Sequence, residues 1–314
     1  MGTSAVGTEL STMLAQLLHA EIHDLHRLSG GASRETWRFS ADGRPLILQR
    51  QRSGDQRDML VEAGVVRAAR RGGVPVPELI DARRRDDGMA FMVLEAIDGE
   101  TIARKIQRDD DFAAARPRLA ADFGRALARI HALDPDEVPG LVATDQLEYY
   151  TEALDALGEP HPVLELVRNW LVDTRPASAL TSVVHGDFRL GNVIVGPDGL
   201  RAVIDWELAH LGDPMEDLGW LCVKAWRFGG DAPVAGLGQY EELFAAYEEA
   251  GGATIDPVVV HWWEVLGTWK WAIMCILQAS VHLNGTARSH ELAAIGRRVC
   301  ENEYDLLRSL EGRW

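Results

Sequence analysis

The stretch His185-Gly186-Asp187-Phe188-Arg189-Leu190-Gly191-Asn192, followed by Val203-Ile204-Asp205-Trp206-Glu207, decides how this chain reads. Val183-Val184 predicts a short buried strand that runs straight into the first segment. Asn192-Val193-Ile194-Val195, the turn Gly196-Pro197-Asp198-Gly199 and Leu200 to Ile204 predict a β-hairpin with Asp205 at its end. One loop and one hairpin therefore gather three oxygen-bearing side chains, Asp187, Asn192 and Asp205. A carboxylate able to take a proton would then sit beside two hard oxygen ligands for a divalent cation. His-x-Asp alone would be an ordinary turn, with Asp205 a strand-end cap. The whole set at this spacing points to chemistry.

The order His-x-Asp-x-x-x-x-Asn, with a further Asp beyond, matches the catalytic loop of kinases. Asp187 would be the base that orients and deprotonates a hydroxyl, and Asn192 and Asp205 the metal ligands. Arg189 would meet the transferring phosphoryl group as a fixed cation, while His185 braces the loop. The motif His-Gly-Asp-x-x-x-x-Asn with Ile-Asp-Trp-Glu resembles the aminoglycoside phosphotransferase and choline kinase family. It looks most like the broad phosphotransferase branch that includes kinase domains found with acyl-CoA dehydrogenases. The resemblance covers roughly Leu25 to Leu310 and is specific for fold and chemistry, not for substrate. It implies an α+β, protein-kinase-like fold of two lobes. An antiparallel-sheet lobe would occupy residues 1–95 and a larger helical lobe residues 96–314, with a hinge near 95–99. ATP and Mg²⁺ are the implied cofactors, and a small hydroxyl-bearing molecule the implied acceptor.

Upstream, Ile22 to Leu28, Thr36 to Phe39 and Leu46 to Gln49 read as strands. Between the first two lies Gly30-Gly31-Ala32-Ser33, small enough to lay backbone N–H groups over phosphates. The third strand departs from the kinase pattern. Gln49 stands where a lysine would hold the α- and β-phosphates, and Arg50 follows it. Side chains alternate along a strand, so Gln49 and Arg50 cannot both face the cleft without a bulge. Either Arg50 or Arg52 supplies the charge after a kink, or Gln49 is a neutral contact. Arg57 to Arg71 predicts a helix, with Glu62 as the candidate acidic partner of the strand cation. Phe91 to Glu95 reads as a buried strand that breaks at Ala96-Ile97-Asp98-Gly99. By resemblance this is the hinge, where adenine would meet the carbonyl of Glu95 and the N–H of Ile97.

From Thr101 onward the pattern is helical, with segments at 112–132, 147–157, 163–172, 240–250, 257–283 and 288–310. Asp213 and Pro214 suit the start of another helix, and by resemblance Asp217 on it braces the catalytic loop. Trp262, Trp263, Trp269 and Trp271 read as core. Asp145, Tyr149, Trp226, Glu264, Lys270 and His282 are candidates for lining an acceptor pocket.

Composition bounds the rest. The chain has 314 residues, enough for two lobes, with 46% hydrophobic and 25% charged residues. A formal net charge of −16 argues against a nucleic-acid partner. Three distant cysteines form no disulfide framework. Residues 1–10 lack the basic start and apolar stretch of a signal peptide, and Val258 to Leu283 carries too many polar residues to span a membrane. A cytoplasmic protein without a membrane partner is expected. The reading is an ATP- and Mg²⁺-dependent small-molecule kinase, its acceptor a hydroxyacyl-CoA or another metabolic alcohol by analogy. An aminoglycoside O-phosphotransferase is the alternative, though a polycationic acceptor wants several carboxylates. A catalytically weak nucleotide-binding pseudokinase, prompted by Gln49, is the second.

Overall fold

Alternation of Trp37, Phe39, Leu46 and Leu48 with more polar residues gives two strands one apolar face each, and a sheet forms around them. The computed structural model describes residues 5–28, 34–52, 57–85, 87–177 and 180–313. Its N-terminal part runs α1 (Ala5–Leu18), β1 (Ile22–Arg27), β2 (Arg34–Ala41), β3 (Arg44–Gln51), α2 (Met59–Arg71), β4 (Leu79–Arg84) and β5 (Ala90–Glu95). The strands make one sheet in the order β1-β2-β3-β5-β4, every neighbouring pair antiparallel. Leu10 and Leu14 of α1 cover the face bearing Trp37, Phe39, Leu46, Leu48, Phe91 and Val93. Met92 and Leu94 of β5 face the other way, into the core that Val65, Val66 and Ala69 of α2 share. Asp58 caps α2, its carboxylate accepting from the Leu60 N–H at 2.9 Å.

The larger part is helical: α3 (Ala103–Arg108), α4 (Leu119–His131), α5 (Gln146–Leu157), α6 (Pro162–Asp173), then β6 (Ser182–Val184), β7 (Val193–Gly196), β8 (Gly199–Val203) and β9 (His210–Gly212). It ends with α7 (Met215–Cys222), α8 (Tyr240–Glu249), α9 (Pro257–Leu283), α10 (His290–Gly296) and α11 (Val299–Leu310). β7 and β8 form the hairpin read from the sequence, and β6 pairs with β9. Trp262 and Trp269 of α9 are core, as expected, and their indole N–H groups donate to the carbonyls of Leu171 (3.2 Å) and Leu164 (2.9 Å) on α6. This is a two-lobed, kinase-like α+β fold. Among the described residues no helix is long and apolar enough to cross a membrane.

Three boundaries differ from the sequence reading. Pro117 lies in a single 3₁₀ turn (Arg116–Arg118), so the helix expected from Phe112 begins only at Leu119. The C-terminal helix divides into α10 and α11 at Gly296, which lies tight against Ala279 of α9. β4 was not anticipated, because its half-exposed residues alternate too weakly to announce a strand.

Backbone hydrogen bonds tie the hairpin to the segment after β5 and to the connector after α2. Glu100 and Val195 exchange N–H···O bonds of 2.9 and 3.0 Å, and the Val203 N–H donates to Pro75 O at 2.7 Å. Lower down, α7 and α9 meet at Gly219, where an added Cβ would lie 2.6 Å from Trp263 Cβ and 2.7 Å from the Glu264 nitrogen. Gly219→Val is expected to lower stability by about 1–3 kcal/mol through overpacking. Its urea midpoint, compared with that of the parent chain, measures the effect.

Candidate active site

β6 delivers the chain to a turn at His185-Gly186, where Gly186 has φ 78° and a Cβ would run into the Leu208 carbonyl. The turn is gripped by Asp217 of α7, a fully buried carboxylate. Asp217 accepts from the N–H of His185 (2.7 Å) and of Gly186 (2.9 Å), and lies 3.2 Å from His131 Nε2. Burial works against its charge, yet the His131 contact and the backbone donor outweigh it and hold the carboxyl below its usual range. His185 is buried as well. Its Nε2 donates to Ile204 O (3.1 Å) while its Nδ1 accepts from the Asp187 N–H (3.2 Å), an arrangement that requires the neutral ring. Burial depresses its pKa against the pull of Asp217 and Asp187, so His185 is a brace rather than a proton carrier.

Asp187 is oriented from three sides. Its Oδ1 accepts from Arg189 Nε (2.9 Å) and Trp220 Nε1 (2.8 Å), and its Oδ2 accepts from Asn192 Nδ2 (2.5 Å). The Arg189 guanidinium lies over Trp226, 4.7 Å from the ring centroid. The Asn192 nitrogen also donates to Asp187 O at 3.0 Å, which leaves the amide oxygen of Asn192 as the free coordinating atom. The Ile204 N–H donates to Asn192 O (2.9 Å) and so sets Asp205 beside it. Asp205 adopts φ 67°, a left-handed conformation uncommon outside glycine. Burial, then the charges of Glu207 and Asp187, push its pKa up to about 7, and Arg34 pulls the other way. A carboxylate held against so much negative charge suits a divalent cation. Among the described residues no three His, Cys, Asp or Glu side chains gather as a metal cage. Two protein oxygens suit Mg²⁺, which keeps waters and takes phosphate oxygens for the remainder.

A cavity of about 310 Å³ lies between the sheet and the hairpin, lined by Gln49, Glu62, Met92, Glu95, Ile97 and Asp205 among others. The N–H of Glu95 donates to Glu78 O (2.9 Å) and that of Ala96 to Pro45 O (3.1 Å). Among the described residues the Ile97 N–H meets no acceptor. Gln49 and Thr36 are opposite one another and share the cavity face. Arg50 is on the other face, 3.6 Å from Glu35, so the expectation that it could turn into the cleft is corrected: β3 pairs without a bulge there. Glu62 pairs with a residue that sequence reading missed, Arg34 of β2, whose Nη1 donates to Glu62 Oε1 at 2.7 Å and whose Nη2 contacts Oε2. Burial raises the Glu62 pKa despite Arg34. Arg34 is itself depressed by burial but raised overall by its bonds to Glu62. Gly30, Gly31, Ala32 and Ser33 lie outside the described residues.

Comparison with known proteins decides the family. The sequence profile of the phosphotransferase enzyme family matches residues 24–257. The chain belongs to this family. It is 28% identical over 224 residues to mouse acyl-CoA dehydrogenase family member 10, a match covering 64% of this chain but 20% of that protein's length. A Ralstonia eutropha protein provisionally named an aminoglycoside phosphotransferase shares the fold, with TM-score 0.75 and 23% identity, over 97% of this chain and 98% of that one. A spectinomycin phosphotransferase, solved with ADP and spectinomycin, superposes with TM-score 0.66 at 14% identity, over 95% of this chain and 98% of that one.

Of the side chains expected around the phosphotransferase acceptor, two lie close to Asp187 and its partners. Trp226 stacks on Arg189, and buried Lys270 lies 4.8 Å from the Trp220 ring centroid and 3.5 Å from Glu216. Three others serve the scaffold. Asp145 caps α5 and pairs with Arg175; Glu264 is engaged by Arg227 and Tyr240; and His282 accepts from the Ser289 N–H. Tyr149 is exposed and stacks edge-on against Tyr150. Trp220 was missed, although its place one helical turn beyond Asp217 puts both on the same face of α7.

Two outcomes follow from this geometry. Asp217→Ala leaves two buried N–H groups unpaired and should lower stability by about 2–5 kcal/mol, measured by chemical denaturation. Asp205 has a folded pKa raised from 3.8 to about 7. In the absence of divalent cation, its contribution to stability is therefore present below pH 4 and lost as the pH rises through about 7. Cation binding needs the ionised form, so calorimetric Mg²⁺ affinity should drop about tenfold per pH unit below 7 and level off above it. Asp205→Asn should abolish that dependence.

Proposed function

We propose that this chain is an ATP- and Mg²⁺-dependent kinase that phosphorylates a hydroxyl on a small cytoplasmic metabolite. The observation that carries the reading is the set Asp187, Asn192 and Asp205. One carboxylate is aimed by three donors, and beside it lie the amide oxygen of Asn192 and the carboxyl of Asp205. Residues 1–95 are the nucleotide lobe in this reading, 96–314 the catalytic and acceptor lobe, and 95–99 the hinge. The unmet N–H of Ile97 donates to adenine and the Glu95 carbonyl accepts from it. Asn192 and Asp205 hold Mg²⁺, which supplies charge neutralisation on the phosphate oxygens when bound.

Asp187 accepts the acceptor's proton. Its Oδ1 already takes two hydrogen bonds and Oδ2 only one, so Oδ2 keeps a lone pair for the hydroxyl. As the proton moves to Oδ2, the hydroxyl oxygen bonds to the γ-phosphorus and the bond to the β-phosphate oxygen breaks, releasing ADP. Arg189, held flat by Trp226 and Asp187, faces the charge that develops.

The surroundings of the base favour a neutral or anionic acceptor over a polycation. Arg189 and Lys270 are the nearest cations, and the buried carboxylate of Glu216 is already engaged by Lys270 and His210. An acceptor such as a hydroxyacyl-CoA fits that balance and the likeness to an acyl-CoA dehydrogenase family member. The pseudokinase reading was prompted by Gln49 alone, and Arg34 sets a guanidinium 3.4 Å from Gln49 Oε1.

ADP release from Mg²⁺·ATP, followed across hydroxyacyl-CoAs, simple alcohols, sugars and aminoglycosides, tests the proposal. Acceptor-dependent turnover is expected with the first groups. Asp187→Ala should retain nucleotide affinity and lose roughly 10³-fold or more in kcat. Near-normal turnover in that variant would refute the assigned base.

A further inference from the structure

The phosphate end of the cleft carries a cation on a strand where the sequence pattern does not call for one. Arg34 opens β2, on the same strand face as Thr36 and opposite Gln51, so the period of two directs it toward the cavity side of the sheet. Its side chain is 5% exposed. Glu62, also 5% exposed, takes both terminal nitrogens; Gln49 Oε1 lies 3.4 Å from Nη1, and Glu207 Oε2 lies 3.4 Å from Nη2. Among the described residues the Arg34 Nε–H has no partner. Arg34 also feels Asp205 directly, as each lies in the other's electrostatic surroundings. One guanidinium thus lies between the buried glutamate of α2 and the carboxylate at the end of the hairpin, with a donor to spare.

The contact with Glu207 differs from the contact with Glu62. It is the longer of the two, and Glu207 is 17% exposed. Glu207 has a second cation, Arg57, whose Nη1 lies 2.8 Å from Oε1. It can therefore leave Arg34 while keeping Arg57, a course that the buried Glu62 does not share. A group that holds a cation loosely from across a cleft occupies a position that an incoming anion can take.

We propose that Arg34 is the cation that binds the nucleotide's phosphates in this chain, displaced by one strand from the β3 position that Gln49 fills, and that Glu207 is the counter-ion it exchanges for phosphate. The assignment rests on the nucleotide reading of the cleft given above. The guanidinium keeps Glu62 on one edge and turns Nη2 and Nε to phosphate oxygens, while Glu207 swings fully onto Arg57. Arginine presents a planar fork where lysine presents a point charge, so the grip is directional as well as electrostatic.

Calorimetric titration with Mg²⁺ and a non-hydrolysable ATP analogue, alongside adenosine, separates the possibilities. Arg34→Gln alone leaves Glu62 buried without its partner, so the neutral pair Arg34→Gln/Glu62→Gln is measured beside it. Adenosine affinity should stay within about twofold of the parent in every variant, while the neutral pair loses roughly 10–100-fold for the triphosphate analogue. Returning the charge to β3, as Gln49→Lys added to Arg34→Gln, should recover about tenfold, which a purely structural arginine would not allow. Glu207→Gln should bind the analogue as tightly as the parent or more so. Parent-like analogue affinity in the neutral pair would overturn the assignment, and a tenfold loss in Glu207→Gln would overturn the exchange. A parent chain that binds neither adenosine nor the analogue would instead remove the nucleotide reading, and this assignment with it.

Discussion

The carboxylate of Asp217 fixes the geometry on which the site depends. Two consecutive N–H groups, those of His185 and Gly186, point at one buried anion, and His131 approaches it from α4. Charged acceptors make stronger hydrogen bonds than neutral ones, and a dry site strengthens them further. The turn that follows has little freedom left. His185 locks its ring between Ile204 and the Asp187 nitrogen, and this passes the constraint from α7 to the hairpin. Asp187, Asn192 and Asp205 then inherit their positions from a residue that none of them touches by hydrogen bond.

Charge is distributed unevenly over this frame. Between the sheet and the hairpin, Glu62, Asp205 and Glu207 outnumber the two arginines, Arg34 and Arg57, that face them. Around Asp187 cations and carboxylates are matched: Arg189 lies against the Trp226 ring and pairs with Asp187, and Lys270 lies against Trp220 and pairs with Glu216. The first region is at ease only with a cation present, as the displaced pKa of Asp205 indicates. The second has its charges shielded by aromatic faces and neighbouring carboxylates. Asp187 stands at the boundary between the two, with Arg189 and Trp220 on its Oδ1 and Asn192 on its Oδ2.

The catalytic hairpin was legible because its residues are contiguous. A strand, a turn and a strand with fixed spacing translate into one local arrangement, and the polar side chains at its ends needed no tertiary knowledge. The upper lobe was less legible at its ends than in its middle. β2 and β3 carry clear alternation, whereas β4 alternates too weakly to reveal itself. Arg34 was missed because its role is defined by a partner 28 positions away in a helix, and pairing at that range leaves no local trace. Reading β3 alone, the eye settles on Gln49 and Arg50. Only the sheet shows that Arg50 points to Glu35 and that the cation paired with Glu62 is on the neighbouring strand. Trp220 was hidden for a different reason: an indole donor to a carboxylate resembles any other core tryptophan in sequence.

The joint between α9 and α6 adds to its buried side chains two tryptophan indoles that reach main-chain carbonyls. A carbonyl is present whatever residue occupies the position. Such a fastening accepts new side chains on the outer helix without losing its anchor, provided the backbone keeps its path. Mutational drift on the outward faces of α5 and α6 is therefore cheap, while drift around β6 and α7 is not. A lineage built on this plan can change its outer helical surface far faster than it can change the turn at His185 and Gly186.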